Sequence, residues 1–192
     1  MKSLFHSATL SLTLAFTLCF SASAQMSAQM SDQMGANHQQ PPSPSAMTSV
    51  SLDGAHITIH YSSPAKRGRA IMGGLVPYGQ VWRTGANQAT SFVTSGEIKV
   101  GTLRVPAGSY TLFTLPQEPG KPWLLILSKK TGEWGIPYPA GDDLGRTPMH
   151  YTKLPQTQQS LTISFQNTGR RSTQLHVRWE NTDESVLIQT LK

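Results

Sequence analysis

The chain has 192 residues, a formal net charge of +6, 16 Gly, 13 Pro and a single Cys. Its basic residues are scattered and form no stripe with aromatics, which argues against a nucleic-acid-binding surface. One cysteine excludes a disulfide scaffold and a thiolate metal site. The length fits one folded domain that stands on its apolar core.

Residues 1–24 read as a secretory signal peptide. Lys2 supplies the positive start, Leu10 to Phe20 an apolar run too short for a stable membrane span, and Ala22-Ser23-Ala24 an A-x-A cleavage site. Leu18 before Cys19 is the wrong neighbour for a lipidation site. Cleavage removes Lys2 and Cys19, leaving 15 basic and 10 acidic residues, a net +5. The expectation is an exported protein, periplasmic or extracellular, with no free thiol. Its sign of charge suits solubility, or attraction to acidic glycans and lipid headgroups.

Residues 25–46 are rich in Gln, Ser, Met and Pro and poor in branched apolar side chains. Such a segment cannot bury enough surface to fold, so it is expected to be a disordered tether. Met26, Met30, Met34 and His38 recur every four residues. Thioethers with one imidazole suit Cu(I), whereas the repeated "SAQM/SDQM" unit also fits a plain low-complexity linker. No cofactor is assigned.

From residue 47 to residue 192 the dominant period is two. "AHITIHYS" alternates Ile57, Ile59 and Tyr61 with His56, Thr58 and His60, as a half-buried strand does. "ATSFVTS" is the next strand. "EIKVGTLRVPAGSYTLFTLP" gives two strands, or three with a tight turn at Gly101, pivoting on Pro106-Ala107-Gly108. "WLLILSKK" is a nearly continuous apolar run, expected of a strand buried on both faces. "SLTISFQN", "STQLHVRWE" and "SVLIQTL" follow, with turns predicted at Asn167-Thr168-Gly169 and Asn181-Thr182-Asp183-Glu184. No window carries a helical period. The predicted fold is all-β: an antiparallel β-sandwich or jelly-roll-like domain of about eight or nine strands with one long ordered loop.

That loop runs from Lys66 to Ala89, long for a compact domain and therefore a place to look for function. Ile71, Leu75, Val76, Tyr78, Val81 and Trp82 are expected to bury and hold it in place. Arg69 and Arg83 then offer planar donor forks to an anion, and Asn87 a donor and an acceptor. Equally, Arg83 and Asn87 suit the loop's own backbone groups. A second loop, "TGEWGIPYPAGDDLGR", carries Trp134, Tyr138 and Arg146. The two loops are expected to meet at one end of the sandwich, pooling Tyr78, Trp82, Trp134 and Tyr138, with Arg83 and Arg146 flanking a groove. The ligand this suggests is anionic or carbohydrate-like, such as a uronic acid or a carboxylate terminus.

Catalytic chemistry finds less support. His56 and His60 lie about 13 Å apart on an extended strand, too far to share a metal. His150 and His176 stand alone in sequence, and no G-x-S-x-G elbow occurs. A hydrolase pairing Asp142 or Asp143 with His150, or an envelope scaffold searching for partners on its tether, are the rival readings to a non-catalytic ligand-binding module.

The motifs "YSSPAKRGRAIMGGLVPYGQVWRTGANQATSF", "VPAGSYTLFTLP" and "EWG", in that order, resemble the bacterial family of the domain of unknown function numbered 2911. That family's pattern carries Arg where Ser63 stands and Lys-Gly-Arg where Arg67-Gly68-Arg69 stands, so the cationic cluster here is one charge poorer. The resemblance implies an exported bacterial β-domain and brings no activity, substrate or catalytic residue with it.

Overall fold

A computed structural model describes residues 43–191. The signal-peptide reading and the Met26/Met30/Met34/His38 set lie outside the described residues. Among the described residues there are ten strands: β1 (Ser45–Leu52), β2 (Ala55–Ser62), β3 (Thr90–Thr94), β4 (Ile98–Val100), β5 (Leu103–Val105), β6 (Gly108–Leu115), β7 (Leu124–Ser128), β8 (Asp143–Pro148), β9 (His150–Gln166) and β10 (Ser172–Thr190). They form a six-stranded sheet in the order β1-β2-β3-β6-β7-β8 and a four-stranded sheet in the order β5-β4-β10-β9. Every pairing is antiparallel, and the sheets do not close into a barrel.

The period-two pattern explains the layers. Ile57 and Ile59 of β2, Phe92 of β3, Leu112 of β6, and Leu125 and Leu127 of β7 are fully buried on one side. Leu161, Ile163, Leu175, Val177 and Trp179 of the β9–β10 hairpin meet them from the other sheet. The apolar run of β7 is buried on both faces, as its sequence requires. Phe113 and Ile126 point away from the inter-sheet core yet are fully buried, and Tyr138 packs edge-on to Phe113 with ring centroids 5.1 Å apart. Gly101, at φ 56°, makes the tight turn that splits β4 from β5.

Four sequence expectations are corrected. Strand β1 starts at Ser45, inside the segment read as tether, because its Ser/Thr-rich alternation is weakly apolar. The Asp143–Arg146 part of the second aromatic loop is strand β8, paired with β7. β9 begins ten residues before "SLTISFQN", at His150. The turn expected at Asn181–Glu184 is a continuation of β10. Its turn-forming composition serves an irregularity instead: the register with β9 shifts on both sides of Glu180, which sits at φ 55°.

That irregularity holds the long loop. Glu180 pairs with Lys66 Nζ and also accepts the Met72 amide at 3.2 Å. Burial pushes the Glu180 carboxyl up, but the Lys66 ammonium and the Met72 amide outweigh it and keep the group below the usual carboxylate range. Lys66 Nζ donates in turn to the Arg69 carbonyl at 2.5 Å. Glu180→Gln is expected to cost about 1.5–3 kcal/mol at pH 7, the range for hydrogen bonds to charged groups. It should also make the Lys66–Arg69 segment open to trypsin under native conditions. Urea titration and limited proteolysis check both, and an unchanged cleavage rate would show the loop to be anchored elsewhere.

Candidate functional site

The loop after β2 is fixed by backbone hydrogen bonds at several points. Lys66 N donates to Gln159 O at 2.6 Å, Gly79 N to Pro116 O at 2.8 Å, and Trp82 exchanges two backbone bonds with Thr114 at 2.8 and 2.9 Å. Ile71 and Val76 are buried. Leu75, expected to bury with them, is 49% exposed. The "RTGAN" turn then reverses the chain through two left-handed residues, Thr84 at φ 54° and Asn87 at φ 58°. Asn tolerates that conformation, and its Nδ2 donates to Ser62 Oγ at 3.2 Å and Ser43 O at 3.3 Å. Thr84 Oγ1 bonds Thr114 Oγ1 at 3.1 Å, and Thr90 Oγ1 donates to Thr84 O at 2.9 Å. At Gly85 a side chain would press on Ser62 O and Thr90 Oγ1, both 3.2 Å from the added Cβ.

The two aromatic loops meet. Ala89 N donates to Glu133 O at 3.1 Å, and Arg83 Nη1 donates to Trp134 O at 3.1 Å. The Arg83 guanidinium also lies 5.1 Å from the centroid of the Trp134 ring. Between the loops is a groove of about 350 Å³, lined by Arg69, Leu75, Trp82, Arg83, Ile136 and Trp179, among others. Its floor is the stacked pair Trp82 and Trp179, with centroids 5.9 Å apart and planes inclined by 20°. Trp123 packs edge-on to Trp82 from behind, at 6.3 Å.

Arg69 uses Nε and Nη2 to hold the Lys66 and Ala65 carbonyls at 3.1 and 2.7 Å. Burial lowers the pKa of the Arg83 guanidinium. Among the described residues, neither arginine has a carboxylate partner. Two cationic forks therefore share one groove with donor capacity to spare.

The remaining candidates separate from this groove. Trp134, at 55% exposed, supports Arg83 from outside. Asn87 works on the loop's own frame. Tyr78 lies in a different, smaller crevice of about 40 Å³ with Trp123 and Tyr151. Burial, followed by the charges of Glu180 and Tyr151, raises its pKa. Tyr138 and Arg146 belong to a network with Asp143 on β8: Tyr138 donates to Asp143 Oδ1, Arg146 Nε donates to Asp143 Oδ2 at 2.9 Å, and Arg146 Nη2 donates to Tyr138 Oη at 3.2 Å. Burial and then the Asp143 hydrogen bond push the Tyr138 phenol up to about 12. The four aromatics thus split between separate clusters, and Arg146 does not line the groove with Arg83. A salt bridge on its own strand already claims it.

The pairing of Asp142 or Asp143 with His150 fails on geometry. Asp143 opens β8 and His150 follows its end, a separation of about 17 Å or more along an extended chain. His176, by contrast, is not alone. The β10 irregularity brings Asp183 to its Nδ1 at 2.9 Å, with Arg178 Nε on the same carboxylate at 2.8 Å. Among the described residues no three metal-ligating side chains come together.

Ile136 and Trp179 are among the groove residues that escaped sequence reasoning. Ile136 sits between Gly and Pro in a segment read for its aromatics, and Trp179 comes from a strand about a hundred positions away in the chain. No local pattern links either to the loop.

No curated protein and no solved structure matches the chain. The family model described as "Protein of unknown function (DUF2911)" matches residues 43–188, which spans both sheets, both aromatic loops and the groove between them. The chain therefore belongs to the DUF2911 family.

Proposed function

We propose that the protein is an exported, non-catalytic module that binds an anionic ligand in the groove between its two aromatic loops. The observation that carries this reading is the pair Arg69 and Arg83. Both guanidiniums line one groove, keep free donors and lack a carboxylate among the described residues. A carboxylate accepting from either fork makes charge-assisted hydrogen bonds of the strong kind, and the partly desolvated Arg83 gains most from one. Export rests on the character of residues 1–24. The loop is anchored at many backbone points, so the site is formed before the ligand arrives, which lowers the cost of binding.

Arg83→Ala is the test. Removing one charge-assisted contact should weaken binding of a carboxylate probe about 10- to 100-fold, at about 1.5–3 kcal/mol per contact. The fold should lose only about 1 kcal/mol for the Trp134 carbonyl bond and the ring contact. Acetate and galacturonate titrations followed by amide NMR shifts at positions 69, 83 and 85 measure the first effect, and thermal melting the second. A large fall in melting temperature with unchanged shifts would make Arg83 a structural residue of the loop.

A further inference from the structure

Resting on the anion-binding reading, the lining of the groove narrows its ligand further. We infer that the groove takes a short hydrocarbon chain ending in a carboxylate, a free medium-chain fatty acid rather than a sugar acid. Besides the two arginines, the lining includes Leu75, Val76, Ala86 and Ile136. Leu75 and Ile136 are 49% and 66% exposed, two of the six large hydrophobic side chains that remain open to water among the described residues. An apolar chain laid between them removes that surface from water.

The floor offers a sugar no free hydrogen-bonding group. The indole N–H of Trp82 is already given to Gly85 O at 3.2 Å, and that of Trp179 to Gln159 O at 3.3 Å. No Asp, Glu, Asn or Gln lines the groove. Sugar hydroxyls entering it would meet one side-chain acceptor in the lining, the Ser43 hydroxyl, and buried hydroxyls without partners oppose binding. Uronic acid, suggested by the arginines alone, is therefore the wrong anion for these walls. Size agrees with the chain. At about 30 Å³ per non-hydrogen atom, as in liquid water, 350 Å³ holds about twelve such atoms, room for the ten of octanoate.

The experiment titrates the full chain with octanoate, acetate, galacturonate, 1-octanol and a short peptide ending in apolar residues, read by Trp fluorescence and calorimetry. Octanoate should bind about 100-fold tighter than acetate, since each buried methylene adds roughly a factor of four and several are covered. It should also exceed galacturonate and 1-octanol by at least about 10-fold, the worth of a matched tail or head. Leu75→Ser and Ile136→Ser alter exposed side chains and leave the fold intact. They should weaken octanoate about 10-fold and leave acetate unchanged. If acetate or galacturonate binds as tightly as octanoate, the hydrocarbon chain is refuted while the anion site stands. If 1-octanol matches octanoate, the anion site itself fails. If the peptide outbinds octanoate, the occupant is a protein terminus and the fatty-acid assignment falls. If no probe binds below millimolar concentration, both readings are wrong.

Discussion

Replacing Glu184 by Gln is expected to flatten the protein's stability between about pH 5 and pH 8. Glu184 is fully buried on β10. Its Oε2 accepts the Trp123 amide at 3.3 Å, and Oε1 has no partner. Burial pushes its carboxyl up to about 8, with the nearby Asp183 charge acting in the same direction and the Trp123 amide against it. The unfolded chain ionises this group near pH 4.3. Because the folded pKa is the higher one, the contribution is complete below the unfolded value and is lost as pH rises through about 8. The limiting slope is about 1.4 kcal/mol per pH unit. Over this window the wild type should lose about 2 kcal/mol or more relative to Glu184→Gln, which holds the same shape without a proton to lose. Urea denaturation of both proteins at pH 5, 6.5 and 8 gives the difference, and the subtraction removes the other titrating groups. Parallel pH profiles would mean that the buried carboxyl is already ionised in the folded protein.

Trp179→Ala should be the most damaging single substitution at the groove. The side chain is 1% exposed, stacks on Trp82, and donates to Gln159 O. Truncating a buried Trp costs about 3–5 kcal/mol, the lost transfer energy plus the cavity left behind. For a domain of this size that lowers the melting temperature by roughly 10 °C. Trp134→Ala provides the contrast. That ring is 55% exposed and touches Arg83 from the solvent side, so its loss should cost about 1 kcal/mol or less. Thermal melts followed by circular dichroism rank the two. If Trp134→Ala is the more damaging, the floor of the groove has been assigned to the wrong tryptophan.

Where a strand buries one face and wets the other, the alternation was enough, as in β2. Where both faces are covered, the apolar run of β7 carried the information just as well. β8 was hidden because Asp143, Gly145 and Pro148 are turn formers by composition, and only pairing with β7 extends them. The stretch from Asn181 to Glu184 misled for the same reason. Its polar side chains are taken up by partners that no local rule reveals, Asp183 by His176 and Arg178, and Glu184 by the Trp123 amide. At the site, the local density of Arg, Asn and Trp marked the right loop. It did not distinguish Arg83, which keeps free donors in the groove, from Asn87, which is spent on Ser62 and Ser43. Nor did it separate Arg69 from Arg146, whose Asp143 partner lies three residues back on the same strand. Those distinctions depend on which hydrogen bonds are already made, and that is a property of the assembled sheets.

β10 supplies Trp179 to the groove floor, Glu180 to the loop and Glu184 to the interior within one continuous strand. A loop tied in this way has no cheap route to local opening, because parting it from β10 disturbs the β9–β10 pairing around Glu180. Amide protons of the anchored part of the loop and of β10 are therefore expected to exchange with solvent together, which native-state hydrogen exchange measures. Binding events here are consequently short on rearrangement: the waiting time for a ligand is governed by diffusion to a rigid cleft, and the residence time by what the cleft holds once it is filled.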